Sequence, residues 1–237
     1  RQFSSRFLAT KFSSLNSKSL VCLNQLHSLE PYLPHSRSNR LRIGWAGSQG
    51  HLEDARQLAL WSGRWARHSE VQWSLMCSNE IASVFRETGI SVSIRPTGSM
   101  EAYLDFLKEL DIGLAWVGDD DFSRGRSDGK FLEYASCGVL PVCRNSPVYS
   151  ETIVHGQTGF LFENELTLHS LLDRFLNNPA EVREIGKQAY EHVASQRTHE
   201  ATGPELFNFY EGLTPFRSAD GVGYIEITSE IEADLYE

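Results

Sequence analysis

The chain has 237 residues, 41% hydrophobic and 22% charged, the balance of a folded domain rather than a disordered or fibrous one. Its formal net charge of −9 argues against a general nucleic-acid binder, and no run approaches the roughly 18 apolar residues of a membrane span. The length predicts one large domain, or one domain with flanking pieces.

The first twenty residues are rich in Ser, Arg and Lys and lack acids, a superficial likeness to an organelle transit peptide; they also read as the end of a preceding domain. Leu41–Ala46 is an apolar run that predicts a strand, followed by Gly47-Ser48-Gln49-Gly50 and a helix over about 51–68. A strand over 71–77, a short helix over 81–87 and a third strand over 91–95 come next. Residues 100–110 are amphipathic, with Tyr103, Leu104, Phe106, Leu107 and Leu110 on the apolar side. A strand over 112–117, a helix over 128–136, a strand over 140–143, a short helix near 148–154 and a strand over 160–162 complete the alternation.

Two helices, separated by Pro179, are expected over 164–195, and one more short helix over 203–212. After Pro215 periodicity is lost and the chain turns acidic, although 224–228 alternates like an edge strand. Alternating strands and helices predict an α/β fold, a Rossmann-like parallel sheet with helices on both faces. Its ligands belong outside the carboxyl ends of the strands.

The richest stretch is Ser127–Val142, which reads as loop, helix, glycine stop and buried strand. Lys130 and Glu133 stand three apart, so on a helix they share a face. The helix start beneath them is an anion-binding element. Lys130 suits phosphate as a point charge, and a carboxylate such as Glu133 can accept from two neighbouring hydroxyls. An ordinary surface ion pair accounts for the same spacing.

The pattern resembles the donor-binding segment of GT-B fold glycosyltransferases of the group 1, family 4-like set. Tyr149, Glu151, Gly156 and Gly159-Phe160-Leu161 continue it downstream, and Asp111–Ala115 matches its preceding strand. The resemblance covers roughly residues 40–195 and implies the C-terminal, donor-binding half of such an enzyme. Residues 1–38 would then be the end of a preceding domain plus linker, 39–200 a nucleotide-sugar-binding domain, and 201–237 a C-terminal helix and acidic tail. It implies transfer of a sugar from a UDP-, GDP- or similar nucleoside-diphosphate sugar to an unknown glycan, lipid or protein acceptor, with retention, and with no metal or cofactor. Glu133 would contact ribose. The acceptor side would come from an N-terminal domain outside this chain, leaving the chain incomplete for catalysis.

Gly47, Ser48, His51, Arg126, Ser127, Lys130, Phe131 and Glu133 are the candidate donor contacts. Gly47 and Ser48 lie in a glycine turn where backbone can approach phosphate. His51 falls in a Gly-Ser-x-x-His-x-x-Asp pattern that related sequences share, and a structural role at the helix start is the alternative. Arg126 is either a phosphate-binding cation or a solvated loop residue.

One departure stands out: many members of the set carry an acid eight positions before the helix glutamate, where this chain has Gly125. The family's usual basic residues in the first loop are also missing. Both motivate the alternative of a non-catalytic nucleotide-sugar-binding or scaffold module, and a GT-B epimerase is a third reading. Asp119-Asp120-Asp121 invites a metal reading, but a polar turn after a strand is the better account. The glycine spacing is not that of dinucleotide-binding folds, although Glu80 sits where a ribose-binding acid would. No hydrolase elbow, zinc-protease motif or P-loop is present. Cys22, Cys77, Cys137 and Cys143 form no C-x-x-C pair and fit a reducing, cytoplasmic setting.

Overall fold

A computed structural model describes residues 1–15, 18–34 and 40–213, together with the backbone at 217–218 and 221–222; of 66 and 67 only the backbone is described. The chain divides into two compact units, Arg1–Thr202 and Gly203–Glu237.

The first unit begins with β1 (Gln2–Phe3), α1 (Arg6–Lys11, capped by the Ser5 hydroxyl) and β2 (Leu20–Val21), with β1 and β2 paired in parallel. The first twenty residues, read as the end of a preceding domain, thus hold a six-residue helix and, among the described residues, one 3-10 turn at Ser13–Leu15. The serine-rich remainder offers little apolar periodicity to extend it.

From there the alternation runs as β3 (Leu41–Ala46), α2 (Leu52–Ser62), β4 (Val71–Met76), α3 (Asn79–Glu87), β5 (Val92–Arg95), α4 (Met100–Lys108) and β6 (Ile112–Ala115). It continues through α5 (Asp121–Arg124), α6 (Gly129–Ser136), β7 (Leu140–Arg144), α7 (Pro147–Ser150), β8 (Phe160–Phe162), α8 (Glu165–Asn177), α9 (Pro179–Gln196) and α10 (His199–Glu211). The predicted long helix after β3 stops at Ser62 and runs on as 3-10 turns through Arg67. The last helix starts earlier than the expected 203 and holds Pro204. A two-residue pair, β9 (Arg217–Ser218) and β10 (Gly221–Val222), follows. The edge strand anticipated at 224–228 lies outside the described residues.

Six strands form one parallel sheet in the order β5-β4-β3-β6-β7-β8. The order runs outward from β3 in one direction and from β6 in the other, which is the doubly wound arrangement. The central strands are buried throughout: Ile112–Ala115 is wholly inside and Leu140–Arg144 is buried up to its last residue. That is why they read as continuous apolar runs rather than alternating ones.

One face of the sheet is covered by apolar residues of α2, α3 and α8, including Leu58, Phe85, Leu172 and Phe175. The other is covered by α4, α6 and α9, through Phe106, Leu107, Phe131, Leu132, Ala189 and Val193. Arg42 grips Asp111 with two guanidinium nitrogens, at 2.9 and 2.7 Å, and so pins the start of β3 to the approach of β6.

Helix α6 ends in a Schellman turn, with the Gly138 amide on Ala135 O and the Val139 amide on Tyr134 O, both at 3.0 Å. Gly138 takes a φ of 69°, which a side chain would resist. A Cβ on Gly186 of α9 would come within 2.4 Å of Gly138 O, so the bare backbone there permits the close approach of α9 to the end of α6.

Candidate functional site

Between β3 and β6 the strand order reverses, and the crevice outside their carboxyl ends is where a doubly wound sheet binds ligands. An open cleft of about 280 Å³ lies there. Trp45 and His51 border it from the β3 side, Trp116 and Val117 from the β6 side, and Arg126, Ser127, Lys130 and Glu133 from the loop and first turn of α6.

Lys130 Nζ lies 3.0 Å from Glu133 Oε2, as the three-residue spacing implies. A third side chain completes the group. Tyr103 of α4 donates its hydroxyl to Glu133 Oε2 at 2.5 Å and accepts from Lys130 Nζ at 3.0 Å. Lys130 also sits 5.1 Å from the centre of the Tyr103 ring. Burial first, and then the Glu133 charge, push the Tyr103 phenol far above its ordinary range, so it stays a neutral donor. Both hydrogen bonds go to Oε2, and among the described residues none goes to Oε1.

Tyr103 was legible only as part of an apolar stripe, because nothing in the sequence marks a tyrosine hydroxyl as turned toward residues 27 and 30 positions away.

Across the cleft, Asp54 is buried and its Oδ2 lies 3.0 Å from His51 Nδ1 and 2.5 Å from Arg126 Nη1. Arg126 donates a further bond of 3.1 Å to Gly50 O. The guanidinium therefore clamps the loop before α6 to the turn after β3 while still bordering the cleft. Asp54 is the residue that closes the Gly-Ser-x-x-His-x-x-Asp pattern, which was the available signal for it.

The start of α6 is fixed from below. Asp128 stands at the N-cap, yet its carboxylate makes no capping bond. It pairs instead with Arg197, at 2.8 and 3.0 Å, and both residues are buried. Arg197 also donates to Asn24 O at 3.0 and 2.6 Å, while Asn24 donates to the Ser127 hydroxyl at 3.1 Å. The amide ends of the helix are thereby left without a side-chain acceptor from Asp128.

Of the eight candidates, His51, Arg126, Ser127, Lys130 and Glu133 border one cleft. Ser48 precedes the 3-10 turn at Gln49–His51 and makes no capping bond. Gly47 lies at the foot of that turn, where a Cβ would come within 2.5 Å of the Trp45 ring. The Phe131 ring is wholly buried in the core, leaving only its backbone at the helix start.

Gly125 ends α5, and a Cβ there would meet Phe122 O at 3.3 Å and Leu8 at 3.4 Å. Glu80 is exposed and accepts from Gln49 at 2.7 Å.

The aspartate triplet splits three ways: Asp119 pairs with Arg144, Asp120 caps α5 through Ser123, and Asp121 pairs with Lys11. These partners hold all three carboxyls below the usual range, Arg144 acting first on Asp119, Ser123 on Asp120 and Lys11 on Asp121. Where a polar turn was expected, the residues cap and open a short helix. Among the described residues no three His, Cys, Asp or Glu side chains are grouped as metal ligands, and no helix is long and apolar enough to cross a membrane.

A family model described as glycosyl transferase-like matches residues 49–207, more than half of the chain. No curated protein matches.

Among solved structures, a mutant form of TarM from S. aureus, in complex with fondaparinux, α-GlcNAc-glycerol and UDP, aligns with a TM-score of 0.68 at 12% identity, over 88% of this chain and 43% of that one. Sucrose-phosphate synthase from Thermosynechococcus elongatus aligns at 0.68 and 14%, over 89% and 57%. HepE from Anabaena, in complex with UDP-glucose, aligns at 0.60 and 11%, over 90% and 54%. The chain therefore spans about half the length of each. A doubly wound sheet, a cleft at its switch point and the match over residues 49–207 together place the chain in the glycosyl transferase-like family, with the fold of the C-terminal half of a GT-B, group 1 glycosyltransferase.

Proposed function

We propose that the cleft binds the nucleoside-diphosphate part of a sugar donor, such as a UDP- or GDP-sugar, and that the chain is the donor-binding half of a retaining, metal-independent glycosyltransferase. The observation that carries this reading is the meeting of Lys130 and Glu133 at the start of α6, on the rim of the switch-point cleft.

Glu133 presents an unengaged carboxylate oxygen suited to the ribose hydroxyls. Lys130, the uncapped amides of α6 and the helix dipole suit the diphosphate. Catalysis then consists of positioning the donor and stabilising the leaving diphosphate as its charge develops. That TarM and HepE, which share the fold, are known in complex with UDP and with UDP-glucose supports a nucleotide donor for this chain.

In this reading residues 1–38 are the end of an acceptor lobe and its linker, 39–200 the donor domain and 201–237 a terminal helix and tail. The acceptor is a glycan, lipid or protein. The chain alone binds nucleotide and turns over poorly. A cytoplasmic location accompanies it, in keeping with four cysteines outside any disulfide.

A second reading, a nucleotide-sugar-binding module without activity, is favoured by Gly125 standing where an acid is usual. Its crowded Cβ position leaves an acid no room without a shift of Leu8 or of the α5 backbone.

Calorimetric titration with UDP, GDP and ADP tests the donor site. At least one should bind with a sub-millimolar Kd, and Glu133→Ala should weaken it about tenfold or more, the worth of a hydrogen bond to a charged group. Absence of binding by all three at millimolar concentration would overturn the reading. Product analysis with an acceptor lobe restored separates a transferase from an inactive module.

A further inference from the structure

The Lys130–Glu133 pair does not stand alone, and its third member comes from a different helix. Tyr103 reaches across from α4, whose Phe106 and Leu107 share the core with Phe131 and Leu132 of α6. Its hydroxyl is inserted between an anion and a cation, donating to Glu133 at 2.5 Å and accepting from Lys130 at 3.0 Å.

Glu133 is about one-third exposed along its side chain and Lys130 about one-fifth, so neither is locked by burial alone. A lysine stem has four rotatable carbons and loses considerable freedom when held. A phenol on a rigid ring has far less to lose. The two bonds on Oε2 turn the carboxylate so that Oε1 faces the Gly129 side, where a Cβ on that glycine would stand 4.0 Å from it.

We propose that Tyr103 is a positioning residue for the nucleotide: it fixes Glu133 through Oε2 so that Oε1 is presented to the ribose hydroxyls. The inference rests on the donor-site reading above and extends it to a residue that touches no ligand itself. It makes a specific demand. Removing the Tyr103 hydroxyl weakens the contribution of the ribose hydroxyls and leaves the diphosphate and base contributions as they were.

The test uses the full 237-residue chain and whichever of UDP, GDP and ADP binds it, alongside the 2′,3′-dideoxy form of the same nucleotide. Wild type should prefer the ribonucleotide. Tyr103→Phe, which keeps the ring and its packing, should weaken the ribonucleotide about fivefold, the worth of one ordinary hydrogen bond, with dideoxynucleotide affinity unchanged. In a Glu133→Ala background, where residue 133 offers no acceptor, the same change should have no further effect.

Equal weakening of both nucleotides, or an undiminished Tyr103→Phe effect in the Glu133→Ala background, would show a merely structural role and overturn the inference. So would an unchanged ribonucleotide affinity in Tyr103→Phe. A wild type that binds both nucleotides equally defeats instead the ribose role of Glu133, and one that binds no nucleotide defeats the donor site itself. The two levels of failure are therefore distinguishable.

Discussion

Glu133 binds Tyr103 and Lys130 through Oε2, while among the described residues Oε1 accepts no hydrogen bond, and the proposed ribose contact depends on that division. Lys130 and Glu133 were legible in the sequence because an i,i+3 spacing on a helix is a local fact. Tyr103 and Arg197 were not, since each reaches its partner through the tertiary fold; Asp54 was signalled only by its local pattern with His51, while its pairing with Arg126, 72 positions away, was not.

His192 offers a test at the same scale. It lies beside the Phe131 ring, with 6.3 Å between ring centres, and burial first and Arg197 second hold its pKa below the ordinary histidine value. A histidine whose folded pKa is depressed resists protonation in the folded state. Its unfavourable contribution is therefore absent above the unfolded pKa of about 6.5 and grows as pH falls through that value toward the lowered one. Urea denaturation at neutral pH and about two units lower should show a smaller acid loss of stability for His192→Gln than for wild type. Equal losses would show that His192 does not carry it.

At the scale of elements, helix α6 is set by three anchors. The Schellman turn ends it, the glycine contact with α9 brings it close, and the Asp128–Arg197 pair fixes its start. The pair is buried on both sides, so cutting it on one side strands a charge. Arg197→Ala should lower unfolding free energy by about 3–5 kcal/mol in denaturant titrations, the usual consequence of leaving a buried partner unpaired. Arg197→Met combined with Asp128→Ala should cost markedly less, because no isolated charge remains. If the single and double variants were equally unstable, the loss would lie in packing or in the Asn24 contacts instead.

The central strands were legible as short apolar runs bounded by glycines and polar residues, because burial on both faces leaves no alternation to misread, whereas β4 and β5 alternate in burial toward the sheet edge. Helix ends were less so. Ser62 and the 3-10 turns after it continue the same residue types, and the stop depends on how the chain returns to β4.

For the whole molecule, the switch between β3 and β6 locates the cleft, and its bordering residues all lie between Trp45 and Tyr149. Among the described residues, none beyond position 202 borders it. Removing residues 203–237 should therefore leave nucleotide affinity within about twofold, measured by the same titration; a larger loss would assign those residues a part in the site. The parallel order of six strands followed from the alternation of strand and helix, whereas the six-residue α1 between β1 and β2 did not, since two-residue strands leave no periodic signal.

The contact between Asn24 and Arg197 spans 173 positions. On a ribosome, the loop before α6 can acquire its final anchor only after residue 197 has emerged, long after Glu133 itself has been made. Non-local contacts of this kind close late, because the entropy of the intervening chain is lost before the contact repays it. On the donor-site reading, a nucleotide in the surrounding solution therefore meets a grip that does not exist until synthesis of the sheet is over. On that reading it stabilises the finished fold by mass action but does not template the early stages of folding.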